Sequence, residues 1–268
     1  MTADHDSDVV TVEEVCRLLR NIAPLRLAED WDNVGLLLGD RRDPVTSILT
    51  CLTLTPDVID EAVEAGAAMV VTHHPLPFRP LKKITSDDLT GTSLLRLARA
   101  GIAVYSAHTA YDSARGGINA QWATRLGLED VRPMCPDDDD PTVGGGRIGR
   151  VETNTKELAR LAGTIAGVDD VRIVGDCDAS VRRVAIGCGS GGSFLSAAAH
   201  ASADALVTGE ATFHTCLEAR SRGVALILVG HHGSERFAME TLAERLGDEL
   251  NGVDCHASRV ESDPLRPT

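Results

Sequence analysis

The sequence predicts an α/β fold made of two units with mostly parallel sheets. Three observations carry that prediction. Apolar runs of strand length alternate with helical segments through residues 46–127. The alternation resumes after an acidic, proline-bounded stretch at 133–141. Several of the runs are apolar throughout, as in Ala68-Met69-Val70-Val71-Thr72, which suits strands covered on both faces.

The elements follow in order. Thr11-Val12-Glu13-Glu14 is a capping box that opens a helix reaching about residue 21. Trp31-Asp32-Asn33-Val34-Gly35 is a turn leading into a short apolar strand that ends near Gly39. Residues 46–54 alternate as a strand, Thr55-Pro56 starts a helix with proline at its first position, and Gly66 closes it. The strand at 68–72 ends at His73, a helix at 90–100 stops at Gly101, and the strand at 102–106 leads to His108. A helix follows at 116–127. The order β-α-β-α-β-α predicts a parallel sheet. Asp137–Asp140 lie in the 133–141 stretch, which reads as a solvated linker.

Beyond it come a strand at 146–151, a helix at 154–166, and short strands near 171–174 and 182–188. Gly187-Cys188-Gly189-Ser190-Gly191-Gly192-Ser193 then enters a helix. This loop is either an anion cradle of backbone N–H groups or a tight strand–helix turn. A strand at 205–208, a helix at 212–222, a strand at 224–229, a helix at 234–246 and a last strand at 252–256 complete the chain. The first unit is placed at 1–132 with 225–268, to which the chain returns at its end. The second is placed at 142–224.

Composition limits the functional classes. At 268 residues and 43% hydrophobic content, the chain can bury a sizeable core. No apolar run approaches the ~18 residues that cross a bilayer, so no membrane role is expected. The acidic opening, Met1 to Asp8, lacks the basic and apolar parts of a signal peptide, and the expected compartment is the cytoplasm. The net charge of −14 repels phosphate backbones and argues against general nucleic-acid binding. Lysine occurs only at Lys82, Lys83 and Lys156. Such an acidic, lysine-poor surface is either simply solubilising or adapted to a salty cytosol. The seven cysteines are scattered and form no C-x-x-C pair, so they read as buried small hydrophobes rather than a disulfide framework.

Three segments carry chemistry: Thr72-His73-His74-Pro75, His108-Thr109-Ala110-Tyr111-Asp112, and Gly230-His231-His232-Gly233-Ser234-Glu235. Each directly follows an apolar run read as a strand. In a parallel α/β sheet the carboxyl ends of the strands line the ligand crevice. Imidazole and carboxylate together suit Zn, Mn, Fe or Ni. His73, His74, His108, Asp112, His231 and Glu235 exceed the needs of one tetrahedral ion. Two metals ~3.5–4 Å apart would use them. Taken singly, each segment could be an ordinary turn; the recurrence at one topological position is what points to a site.

Glu210 and His214 follow the strand at 205–208. They either orient a ligand or carry protons, or they are a capping glutamate and a surface histidine. Trp31, Asp32 and Asn33 fix a turn and help frame the mouth. His5, His200 and His256 look incidental.

The chain resembles the dinuclear-metal family of GTP cyclohydrolase 1 type 2 homologs, also called NGG-interacting-factor-like proteins. The resemblance runs nearly end to end. It rests on Trp31-Asp32-Asn33-Val34-Gly35-Leu36, Val71-Thr72-His73-His74-Pro75, Ser106-Ala107-His108-Thr109 with Asp112, Thr208-Gly209-Glu210 with His214, and Gly230-His231 with Glu235. It implies two interlinked α/β domains, a toroidal homohexamer with metal sites facing its cavity, and a ligand role for the six residues above. It also implies hydrolytic opening of the imidazole ring of GTP, with release of formate. The family's partner-binding name implies a different role, a non-enzymatic metal-binding or regulatory ring. The chain departs from the family in having His232 where an aromatic residue is usual, and Thr109-Ala110 where Thr-Asn is frequent. It also lacks the inserted domain of longer members.

Overall fold

The computed structural model describes residues 9–266. The acidic opening and His5 lie outside them. The chain divides into two compact units, one holding the residues up to His108 together with Met239–Glu261, the other holding Thr109–Ala238 and the residues from Ser262 onward.

The first unit opens with α1 (Val12–Ile22), whose Val12, Val15, Cys16, Leu19 and Ile22 fall on one buried stripe. The capping box is formed: Glu14 N donates to Thr11 Oγ1 at 3.4 Å, and Thr11 N donates to Glu14 Oε2 at 2.8 Å. Next come β1 (Gly35–Leu38), β2 (Ser47–Cys51), α2 (Pro56–Glu64), β3 (Met69–Thr72), α3 (Leu89–Ala100) and β4 (Ala103–Ser106). Thr55 caps α2 ahead of Pro56. Gly101 ends α3 at φ +69°, a left-handed position that costs a glycine nothing sterically. Strands β2, β3 and β4 pair in parallel, and β1 joins β4 antiparallel. Leu49, Val70 and Val104 pack with Val58, Ile59 and Leu97 in one core cluster on one face, and every residue of β3 and β4 is buried, so both faces of these strands are covered.

Helix α4 (His108–Ser113) carries the chain from the first unit into the second. There follow α5 (Ile118–Arg125), β5 (Glu129–Arg132), β6 (Cys135–Pro136), β7 (Gly144–Gly145), β8 (Arg147–Asn154), α6 (Thr155–Ala166), β9 (Arg172–Val174), β10 (Ser180–Gly187), α7 (Leu195–His200), β11 (Ala205–Thr208), α8 (Phe213–Arg222), β12 (Ala225–Leu228) and α9 (His231–Glu235). The main sheet runs β5-β8-β10-β11-β12-β9. Only β10, β11 and β12 are mutually parallel; β5, β8 and β9 pair antiparallel. The expectation of mostly parallel sheets therefore holds for the first unit and gives way to a mixed sheet in the second. β5 and β8 are joined through β6 and β7 with no crossover helix, a connection that an antiparallel pair allows and a parallel pair does not, and β9 lies at the far edge beside β12.

The stretch at 133–141 is not a linker. Strands β6 and β7 pair across it, and Asp137 N donates to Val143 O at 3.0 Å. Asp137 Oδ1 accepts from Asp140 N at 3.0 Å, and Arg115 Nη2 donates to Thr142 Oγ1 at 2.6 Å. The four aspartates thus sit on an ordered turn of the second unit.

The chain returns to the first unit through α10 (Ala238–Glu249) and β13 (Asp254–Ala257), which adds in parallel to β2 and completes the order β1-β4-β3-β2-β13. The sequence reading carries the first unit on to residue 132 and starts its return at 225. In the fold, 129–132 and 225–228 both lie in the second unit's sheet. The helix expected at 234–246 is two elements, α9 and α10. Among the described residues no helix is long and apolar enough to cross a membrane.

Candidate metal centre

In the first unit, the ladder between β2 and β3 continues past the strand end. His73 N donates to Cys51 O at 2.9 Å, and His74 N donates to Leu52 O at 2.8 Å. Ser106 Oγ, closing β4, donates to His73 O at 2.6 Å. Two imidazoles are thereby fixed on the backbone of the sheet rather than on a free loop. His108 opens α4 at φ +25°, an unfavourable region for a residue with a side chain, held here by its surroundings. The ligand nitrogens of His73, His74 and His108 lie within 4.8 Å of one another.

Two of these rings are oriented by neighbours. His108 Nδ1 lies 2.7 Å from Asp32 Oδ1, and the Asp32 side chain is fully buried. A carboxylate only accepts, so Nδ1 carries the hydrogen and Nε2 is left as the donor nitrogen for a metal. His74 Nδ1 lies 2.7 Å from Thr53 Oγ1. The Thr53 loop is itself pinned, because Glu261 accepts from Leu52 N at 2.9 Å and from Thr53 N at 2.6 Å. A residue more than 200 positions away thus steadies a histidine neighbour.

In the second unit, β12 is prolonged in the same way: Val229 N donates to Thr208 O at 3.1 Å and Gly230 N to Gly209 O at 2.9 Å. His231 follows, opening α9. Its Nε2 is 3.1 Å from Glu235 Oε2 and its Nδ1 is 3.0 Å from Glu210 Oε1. Glu235 first, then Glu210, raise the imidazolium of His231 to about 9, against the opposing effect of burial. In return, His231 and then Ser190, which donates to Glu210 at 2.6 Å, hold the Glu210 carboxyl below its usual range. The four-residue step from His231 to Glu235 is one turn of α9, which puts both groups on one face. His231 is thus paired with Glu235, four residues on.

Asp112, on α4, accepts from Cys188 Sγ at 3.2 Å. Burial, and then the charges of Asp112 and Glu235, push the Cys188 thiol well up, so it stays protonated as a donor. The glycine-rich loop carrying it is a tight turn. Cys188 N donates to Asn119 Oδ1 at 2.9 Å and Gly189 N to Ser234 Oγ at 2.8 Å. These two N–H groups of the loop are used inside the protein. Gly189 sits at φ +57°, and a Cβ there would run into the Glu235 carboxylate.

His214 stands exposed in the first turn of α8, with its ring 5.8 Å from that of Phe213. Asp32, Thr53, Cys188 and Ser190 were not assigned partners by the sequence. Asp32 had a signal in the Trp31-Asp32-Asn33 turn, and Cys188 and Ser190 had one in the glycine-rich loop; Thr53 had none.

The fold and these residues define a class: a two-unit α/β protein with histidines and carboxylates just past its strand ends. The model of the Duf34/NIF3 (NGG1p interacting factor 3) family matches residues 10–264, and the chain belongs to that family. It is 35% identical over 260 residues to a Clostridium perfringens protein named GTP cyclohydrolase 1 type 2 homolog, covering 95% of this chain and 98% of that one. It is 33% identical over 267 residues to the NIF3 homolog of Schizosaccharomyces pombe, covering 93% and 95%. A Staphylococcus aureus crystal structure superposes with a TM-score of 0.88 at 26% identity, covering 97% of this chain and 99% of that one.

Proposed function

We propose that this protein binds divalent metal and hydrolyses a nucleotide, with GTP the first substrate to test. The observation that carries the reading is the trio His73, His74 and His108, whose ligand nitrogens converge within 4.8 Å. The donor set fits a resident metal: Asp32 holds the His108 hydrogen on Nδ1, the tautomer in which Nε2 is the ligand nitrogen, and imidazole suits Zn, Mn, Fe or Ni. Asp112, His231 and Glu235 are proposed as the remaining ligands, which gives two ions per chain. Bound there, such ions supply Lewis acidity and acidify a coordinated water.

The chain's own groups do the rest. Asp32 and Thr53 fix ring orientation. Glu210 holds a proton at His231 Nδ1 and is the proposed proton carrier, with exposed His214 as its exchange partner toward solvent. The acidic surface repels phosphate, so cationic charge at the site would admit a triphosphate locally. The names of the relatives support guanine-ring opening at C8, in which two waters enter and formate leaves. A homohexamer, a cytoplasmic setting and salt adaptation belong to the same proposal. Sedimentation tests the first, and a melting temperature that climbs with KCl tests the last.

The central experiment loads the protein with each metal in turn, measures metal per chain, and follows formate release from GTP. Formate that disappears in Glu210→Gln and in His108→Ala is the expected result. Turnover unaffected by His108→Ala would remove the proposed site. Bound metal with no formate under any of the four metals would leave a metal-holding regulatory ring instead.

A further inference from the structure

Aromatic residues are scarce in this chain: two Trp, two Tyr and four Phe. Trp122, Tyr105 and Tyr111 are buried, as their size dictates. Trp31 and Phe78 are not; they are 60% and 49% exposed. Their ring centroids are 5.9 Å apart with planes 38° from each other. Both also meet the ring of His108, Trp31 edge-on at 5.9 Å and Phe78 at 6.0 Å. Two large apolar rings therefore stand in water beside one of the three converging imidazoles.

The pair is held in place by polar bonds. Asp32, next to Trp31, binds His108 Nδ1 at 2.7 Å. Asn33 Nδ2 donates to Pro77 O at 2.7 Å, tying the Trp31 turn to the segment that carries Phe78. The turn is further ordered by Asn33 N, which donates to Asp32 Oδ1 at 2.8 Å. Preorganised, exposed aromatic faces bind flat rings with little loss of side-chain freedom, and every nucleobase has such a face.

We propose that Trp31 and Phe78 form a stacking platform for the planar heteroaromatic ring of the ligand, a purine base, and present that ring to His108. The proposal rests on the nucleotide reading above but does not require turnover. It makes Trp31 and Phe78 determinants of base recognition, separate from any phosphate affinity of the metal ligands.

Trp31 reports on itself, because the chain's only other tryptophan, Trp122, is buried and donates to Ser234 O. The purified protein is titrated with guanosine, GTP and inorganic triphosphate while tryptophan emission is followed, and binding is measured in parallel by equilibrium dialysis. Guanosine and GTP are expected to quench emission and triphosphate to leave it unchanged. Trp31→Phe should lose the optical change while keeping binding by dialysis, since the ring is retained. Trp31→Ala and Phe78→Ala should each weaken guanosine binding by about tenfold, the scale of a lost base–aromatic stack. Both positions are exposed, so far-UV circular dichroism should match wild type. The proposal is overturned if guanosine leaves emission and dialysis unchanged, or if both alanine variants bind it as wild type does. It is also overturned if Trp31 emission follows protein concentration alone, since the ring is then covered by a second copy. Guanosine binding without formate release would sink the hydrolase reading and leave this one standing.

Discussion

The two units hold their imidazoles by different means. In the first, His73 and His74 continue a parallel ladder, His74 Nδ1 meets a hydroxyl, and His108 Nδ1 meets a buried carboxylate. In the second, His231 lies between two carboxylates, Glu210 and Glu235, on a short helix just past the end of β12 in a mixed sheet. The first arrangement gathers donors that bring no charge, so its strength as a site depends on ring geometry. The second gathers charge, so its strength depends on keeping that charge paired. A buried carboxylate without a partner is costly, which is why Glu235 and His231 stand or fall together.

That contrast can be broken most directly by removing donors. His108→Ala, and separately Glu235→Gln, are expected to lower metal content by about one of the two ions proposed per chain, because a catalytic site keeps three protein ligands. Elemental analysis after gel filtration reads this, and unchanged content in His108→Ala would refute the first-unit cluster. Next in size is the orienting carboxylate. Asp32→Asn keeps shape but lets His108 choose its other tautomer, and metal affinity should weaken roughly 10- to 100-fold. Thr53→Val should do less, since a hydroxyl orients His74 more weakly than a buried carboxylate orients His108. Competition with a chromogenic chelator measures both, and equal effects would show that the hydroxyl orients its ring as firmly as the carboxylate does.

A smaller effect is structural. Gly189→Ala places a Cβ at positive φ against the Glu235 carboxylate. Strain of this kind costs on the order of 1–3 kcal/mol. The urea midpoint should fall, with m unchanged, while Gly101→Ala, whose Cβ meets nothing within 4 Å, should fall less. A Gly189 variant as stable as the Gly101 variant would show that the turn yields.

The first unit was far more legible in the sequence than the second. Capping signals at Thr11, Thr55 and Gly101 mark helix ends through local bonds, and local bonds are written in neighbouring residues. The strands at 69–72 and 103–106 are continuous apolar runs because both faces are covered. Strand direction in the second unit was not legible: β8 and β10 have the same apolar pattern whether they run parallel or antiparallel. The turn at Asp137–Asp140 was misread because four carboxylates resemble a solvated linker, whereas their order comes from backbone N–H groups and Arg115. At the site, residue types and spacing pointed to the histidines, but the partners did not follow from them. Asp32 with His108, and Glu261 with the Thr53 loop, are joined across long separations that no local pattern records.

The smallest expected effect is alkaline. Cys16 lies on the buried stripe of α1, and burial pushes its thiol up to about 11 from an ordinary value near 9. Below pH 9 the thiol is protonated in both folded and unfolded chains, so the stability it contributes is fully present. As pH rises through 9 the unfolded chain ionises first and gains free energy relative to the fold, and this continues until the folded thiol ionises near 11. Stability should therefore fall between pH 9 and 11, and level off above. Other thiols titrate in the same window, so the wild-type curve alone does not isolate Cys16. The difference between wild type and Cys16→Ala does: the variant starts from a lower midpoint because of its lost packing, and its alkaline decline should be shallower. Parallel curves for the two proteins from pH 8 to 11 would show that the Cys16 thiol ionises as readily in the fold as in water.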